Sequence, residues 1–207
     1  MNRSAHDPYC YPGTDVLRNM EDIRDRKALD RFEADAVAAN LVALRRKPIT
    51  GSFDIRRLQE THRRIFARIY PWAGEFRTGI GMMAKNRSGF TVAYGPSSNV
   101  PGALDGVFAA LNKENCLKGL DLDAFVKRIA YYYSELDAIH PFREGNSRTL
   151  RAFTADLASE AGHTLDWSQI GSSEEARKSL YHARDLAVMR GDLSELIEIL
   201  STCLPDQ

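Results

Sequence analysis

Residues 140–151 read His140-Pro141-Phe142-Arg143-Glu144-Gly145-Asn146-Ser147-Arg148-Thr149-Leu150-Arg151. Proline disfavours helical geometry in the residue before it, so a helix arriving from the N-terminal side ends at His140. Glu144-Gly145-Asn146 is turn-forming. Asn146 or Ser147 is placed to cap a second helix whose apolar positions begin at Leu150. The segment is therefore helix, tight loop, helix, and it brings the unpaired N–H groups of the second helix to one spot. Such a terminus carries about half a positive charge and attracts anions. Arg148 and Arg151 are three residues apart and share one face of the first turns. Two guanidinium forks beside a helix start suit a polyphosphate better than a single carboxylate. Glu144 offers a hard oxygen that holds Mg²⁺ beside phosphate oxygens. His140 is a base whose neutral form is accessible near pH 7. Base, metal carboxylate, anion site and two arginines within twelve residues form the kit for transfer from a nucleoside polyphosphate, where positioning and charge neutralisation carry most of the catalysis.

Outward from this segment the chain has helical period. Residues 121–139 place Leu122, Phe125, Val126, Ile129, Leu136 and Ile139 on one face, and 147–161 do the same with Leu150, Phe153 and Leu157. Further helices are predicted over 19–47, 54–70 with Ser52 as a cap, 101–115, 173–190 and 192–203. One stretch breaks the pattern. Residues 78–100 hold four glycines and three serines. They contain two short candidate strands, Ile80–Ala84 and Gly89–Tyr94, joined by Asn86-Arg87-Ser88-Gly89 as a hairpin turn. A long excursion of this kind inside a compact domain is often functional; the local sequence alone fits a solvated connection equally well.

Composition removes several alternatives. The 207 residues suit one domain. Lys plus Arg and Asp plus Glu are each 28, which disfavours a dedicated nucleic-acid binder, a DNA-reading helix-turn-helix over 121–161 included, and a polybasic membrane-surface protein. No apolar run approaches the roughly 18 residues of a membrane-crossing helix. Residues 1–10 have no apolar core, so no secretory signal is expected. Cys10, Cys116 and Cys203 are far apart and odd in number; reduced thiols in a cytoplasmic protein are the expectation.

The segment 140–151 resembles the signature of Fic-domain proteins, His-x-Phe-x-(Asp or Glu)-Gly-Asn-Gly-Arg-x-x-Arg, matching it at His140, Phe142, Glu144, Gly145, Asn146, Arg148 and Arg151. Tyr70-Pro-Trp-Ala-Gly-Glu-Phe-Arg77 is similar to the segment before that family's flap, and residues 7–19 to the start of small bacterial FicT-type toxins. The resemblance covers essentially the whole chain. It implies a single Fic domain over 1–207, all-α, with helices around a central motif helix and a β-hairpin flap over 78–94.

The resemblance further implies a protein adenylyltransferase that moves AMP from ATP to a target hydroxyl and releases pyrophosphate. Its roles fall on His140 as general base, Glu144 on Mg²⁺, the backbone N–H groups of Gly145, Asn146 and Ser147 on the phosphates, Arg148 on the leaving pyrophosphate and Arg151 on the γ-phosphate. Phe90, Thr91 and Val92 of the flap are expected to register the target by strand addition. Ser147 departs from the family's second motif glycine, which leaves nucleotide geometry and rate open. Many members carry an inhibitory (Ser or Thr)-x-x-x-Glu-(Gly or Asn) helix whose Glu pairs with the second motif arginine. The two Glu-Gly or Glu-Asn pairs here, Glu114-Asn115 and Glu144-Gly145, follow Ala110 and His140 at the Ser/Thr position, so no such helix is encoded. The implied partners are a separate small antitoxin that supplies the Glu to Arg151, and, for a toxin of this type, a DNA gyrase or topoisomerase IV subunit as target, without direct contact to nucleic acid or membrane. A Fic-fold kinase or other nucleotidyl or phosphoryl transferase, and a non-catalytic helical interaction module, are the alternatives.

Overall fold

The computed structural model describes residues 7–80, 82–87, 90–171 and 173–204, with side chains for all of these except Asn86, Arg87 and Phe90. In chain order the elements are α1 (Arg26–Arg46), α2 (Ile55–Phe66), β1 (Met83–Arg87), β2 (Phe90–Tyr94), α3 (Val100–Lys113), α4 (Leu122–Ile139), α5 (Asn146–Glu160), α6 (Ser168–Gly171), α7 (Glu174–Arg190) and α8 (Ser194–Thr202). α4 sits at the centre, against α3, α5, α7 and α8, while α5 packs between α4 and α2. The apolar stripes explain this. Phe125, Ile129, Tyr133 and Leu136 of α4 and Leu150, Phe153 and Leu157 of α5 are fully buried in one cluster. Each buried side chain of this size contributes about 1.5–3 kcal/mol relative to exposure. A second cluster joins α1, α2 and the N-terminal segment through Val16, Leu29, Ile65, Phe66 and Tyr70.

Among the described residues, four helices begin with a side-chain cap. Asp25 accepts from the Ala28 N–H, Asp54 from Arg57, Asp121 from Ala124 and Ser173 from Ala176. Asp54, not Ser52, therefore starts α2, since its carboxylate reaches the Arg57 N–H at 2.9 Å. Replacing Asp121 by Ala should lower stability by about 1 kcal/mol, measured as a lower urea midpoint at unchanged slope. α1 starts at Arg26 and not at residue 19. The Asn19 amide bonds the Leu17 and Ile23 carbonyls and accepts the Ile23 N–H at 2.9 Å, and these bonds hold the backbone out of a helix. The hairpin is antiparallel, with Met83 opposite Tyr94 and Arg87 opposite Phe90. β1 begins three residues later than expected and runs through Asn86 and Arg87, so both belong to the strand and not to the turn; Ser88, Gly89 and Gly81 lie outside the described residues. No described helix is long and apolar enough to cross a membrane.

Candidate active site

α4 ends at Ile139, and His140 caps it in the left-handed region at φ 49°. That conformation turns the chain out of the helix and into the loop 141–145. Arg77, 1% exposed, holds this end in place: its Nε donates to the His140 carbonyl at 2.8 Å and its Nη2 to the Gly95 carbonyl at 2.6 Å. One buried guanidinium thus ties the end of α4 to the exit of the hairpin, and the Arg77 N–H adds a bond to the Pro141 carbonyl at 2.9 Å. From the other side Asp7 accepts both Nε and Nη2 of Arg143, and the Tyr9 hydroxyl accepts the Thr78 N–H.

Inside the loop, Phe142 is fully buried and stacked on His62 at 3.9 Å between ring centroids. His62 Nδ1 accepts the Gly74 N–H at 2.8 Å, so its proton is on Nε2, which donates to the Glu144 carbonyl at 3.0 Å. Burial pushes His62 down to about 4, and it stays neutral. The Asn146 side chain folds back on the loop, accepting from the Phe142 N–H and donating to the Phe142 carbonyl.

α5 therefore starts without the cap expected from Asn146 or Ser147. Its N-cap is Gly145 at φ 83°, with no side-chain cap bond, because the Asn146 amide is spent on Phe142 and the Ser147 hydroxyl accepts from Arg184. The Gly145 N–H is itself taken by Glu144 Oε1 at 2.9 Å. The N–H groups left for an anion are those that follow, beginning with Asn146 and Ser147.

His140 lies under the hairpin. It is 1% exposed, and its ring stacks on Tyr94 at 3.8 Å. Neither ring nitrogen has a hydrogen-bond partner among the described residues. Burial lowers its pKa most; the Asp137 carboxylate opposes, Lys85 and Arg184 assist, and the result is about 4. Glu144 is held below the usual carboxylate range: burial raises it, but Lys85, the Gly145 N–H, Arg148 and Arg143 outweigh that.

The two motif arginines have different surroundings. Arg148 is paired with Glu33 of α1, which also accepts the Tyr70 hydroxyl, and it reaches Glu144 Oε1 at 3.4 Å and lies over the Phe66 ring. Arg151 makes no ion pair with a described residue, and with Arg148 it lines a groove of about 640 Å³ along α1 and α5.

The flap residues divide by strand alternation. Val92 and Tyr94 point inward at 1% exposure each, and Thr91 and Ala93 point outward. The Val92 side chain is thus buried against the protein, which leaves main-chain pairing along β2 open; Thr91 is exposed, and the Phe90 side chain lies outside the described residues. The structure places His140 at the end of α4, Glu144 and Gly145 in the loop, and Asn146, Ser147, Arg148 and Arg151 on the first turns of α5; sequence reading does not single out His62, Arg77, Glu33, Asp137, Tyr94 and Arg184. Only Arg77 had a signal, as the last residue of the Tyr70–Arg77 segment. Tyr94 ends β2 and Asp137 lies on α4 one turn before His140, while Glu33, His62 and Arg184 come from other helices and carry no local pattern.

Residues 52–158 match the Fic/DOC family. Among curated proteins the chain is 37% identical over 196 residues to protein adenylyltransferase VbhT of Bartonella schoenbuchensis, covering 92% of this chain and 40% of VbhT. The chain therefore spans less than half the length of that relative. It is 33% identical over 171 residues to the probable protein adenylyltransferase y4lH of Sinorhizobium fredii, covering 81% of this chain and 83% of y4lH. Among solved structures, BepC of Bartonella tribocorum with bound AMPPNP superposes with a TM-score of 0.85 at 28% identity, over 96% of this chain and 97% of that one.

Proposed function

The chain belongs to the Fic/DOC family, and from that premise we propose that it is a protein adenylyltransferase acting on a hydroxyl side chain of another protein. The observation that carries this reading is the juxtaposition of a buried, neutral His140 with an uncapped helix start bearing Arg148 and Arg151. His140 accepts the proton of the target hydroxyl. The oxygen attacks the α-phosphate of ATP, the bond from that phosphorus to the bridging oxygen breaks, and pyrophosphate leaves. The Asn146 and Ser147 N–H groups hold phosphate oxygens, and the two arginines take up the charge of the leaving group. Arg148 arrives oriented by Glu33, so little freedom remains to be lost when the phosphates bind. Glu144 suits Mg²⁺, being kept ionised with Oε2 free of hydrogen bonds to described residues; that ion, when bound, neutralises phosphate charge. The outward face and main chain of β2 around Thr91 are the part of the flap that suits pairing with an extended target segment.

The test is labelling of a bacterial lysate by the purified chain with ATP radiolabelled at either the α or the γ phosphate. AMP transfer puts label on protein from the α position alone. Label from the γ position would mean kinase chemistry, and none from either would mean a binding module.

The unpaired Arg151 supports a second part of the proposal. A separate small antitoxin supplies a glutamate to it, and the free chain is a growth-inhibiting toxin acting in the cytoplasm, with a type II topoisomerase subunit as its expected target. Arg151→Ala should weaken ATP binding and also abolish antitoxin inhibition of the residual activity. Undiminished inhibition of that variant would refute the pairing.

A further inference from the structure

The last turn of α4 holds a buried ion pair that the reaction above does not use. Asp137 is fully buried and receives Arg184 of α7 on both oxygens, Nε to Oδ2 at 3.0 Å and Nη2 to Oδ1. Arg184 is itself 1% exposed. Its remaining nitrogen, Nη1, donates to the Ser147 hydroxyl at 2.9 Å. Asp137 Oδ1 also lies 3.8 Å from His140 Nδ1. One guanidinium thus spans from the residue one helical turn before the base to the first turn of the anion-binding helix. Buried pairs of this kind are often no more stabilising than apolar residues of the same shape, so stability alone does not account for its place. Its two ends do.

We propose that Asp137, Arg184 and Ser147 act as one positioning unit that registers the base against the phosphate cradle. The proposal deepens the AMP-transfer reading and rests on it. Between His140 and Ser147 the chain passes through a loop with left-handed residues at both ends, His140 and Gly145. Backbone alone leaves the lone pair of the base and the N–H groups of α5 free to shift against each other. The planar, rigid fork of Arg184 removes that freedom. The Asp137 charge favours a proton on the nearer nitrogen, Nδ1, and so leaves the Nε2 pair for the target hydroxyl. No described group hydrogen-bonds either ring nitrogen, so the Asp137 charge, 3.8 Å from Nδ1, is what biases the tautomer. Ser147, the departure from the family's motif glycine, gains a role: glycine offers no acceptor, and Arg184 Nη1 would lose this partner.

The test keeps the pair's shape while removing its charges. Arg184→Ala would strand a buried carboxylate and risks unfolding, so the informative variant of the full chain is Asp137→Asn with Arg184→Gln, alongside Ser147→Ala and Ser147→Thr. With folding verified by near-UV circular dichroism, the double variant should lose about a hundredfold in kcat for AMP transfer, the scale of a misplaced reacting group, with KM for ATP nearly unchanged. Ser147→Ala should lose less, and Ser147→Thr, which keeps the hydroxyl, should recover it. Nitrogen-15 NMR of labelled histidines should find His140 protonated on Nδ1 in the native chain and a mixture of tautomers in the double variant. A folded double variant with native kcat, or one with the native His140 tautomer, overturns the proposal. The tautomer readout needs no AMP transfer, so a native chain that fails to transfer AMP would sink the functional reading without deciding this one.

Discussion

His140→Ala is expected to lower AMP transfer by about 10²–10⁴-fold, the usual worth of a positioned general base, while the chain stays folded and still binds ATP. The proposed phosphate contacts lie on α5, and the Asp137–Arg184 pair that ends α4 keeps both members when the imidazole is removed. Saturation with ATP should therefore not recover the rate. The pH profile carries an independent signature. A base with an ordinary pKa would lose activity as pH falls through 6.5. His140, held down to about 4 by its burial, should keep its activity through pH 6 and lose it only on approach to that value. Stability moves first. His62 and His140 both have their pKa lowered from 6.5 to about 4, so over that interval the unfolded chain binds more protons than the native one. Their contribution to stability is complete above 6.5 and declines as pH falls toward 4. Thermal melts and initial rates at the same pH values separate the two effects.

Gly145→Ala is expected to be the most damaging single methyl group that can be added to the loop. At φ 83° an L-residue is strained, by about 1–2 kcal/mol. The added Cβ would also lie 2.4 Å from two carbons of the Phe66 ring. Phe66 is fully buried in the α1–α2 cluster and has no room to retreat. Relief by moving α5 would break the geometry that the phosphates require, so activity should fall further than stability. Phe66→Ala alone should cost about 3–5 kcal/mol as a core deletion. Combined with Gly145→Ala it should cost less than the sum of the two, because the clash is removed with the ring. Additive losses in that double-mutant cycle would show that Phe66 is not what the glycine avoids.

The candidate site was legible in the sequence where its residues and its backbone geometry share one contiguous segment. Residues 140–151 must turn at a proline, pass a glycine and start a helix, and each demand leaves a residue type behind. The helices were legible for a similar reason: the stripes of α4 and α5 repeat at 3.6-residue spacing because both pack on several neighbours. Local signals failed where side chains override them. Asn19 binds its own loop and delays α1, and Asn146 binds Phe142 and so leaves the helix start open. The supports of the site were not legible at all. Glu33, His62 and Arg184 come from three other helices and meet the loop only through the fold, each 47 or more residues from its partner, apart from the 37 between Arg184 and Ser147. The neutral overall charge, 28 against 28, is consistent with anion binding by a local cluster and not by a basic surface.

The most direct measurement is the mass of the modification itself. A target protein labelled by the chain in the presence of ATP should be digested and its modified peptide analysed by tandem mass spectrometry. The account predicts an adenosine monophosphate group on a tyrosine, serine or threonine oxygen, absent when His140→Ala replaces the native chain. A phosphate alone at that position, or the same adenylylated peptide with His140→Ala at undiminished yield, would contradict it.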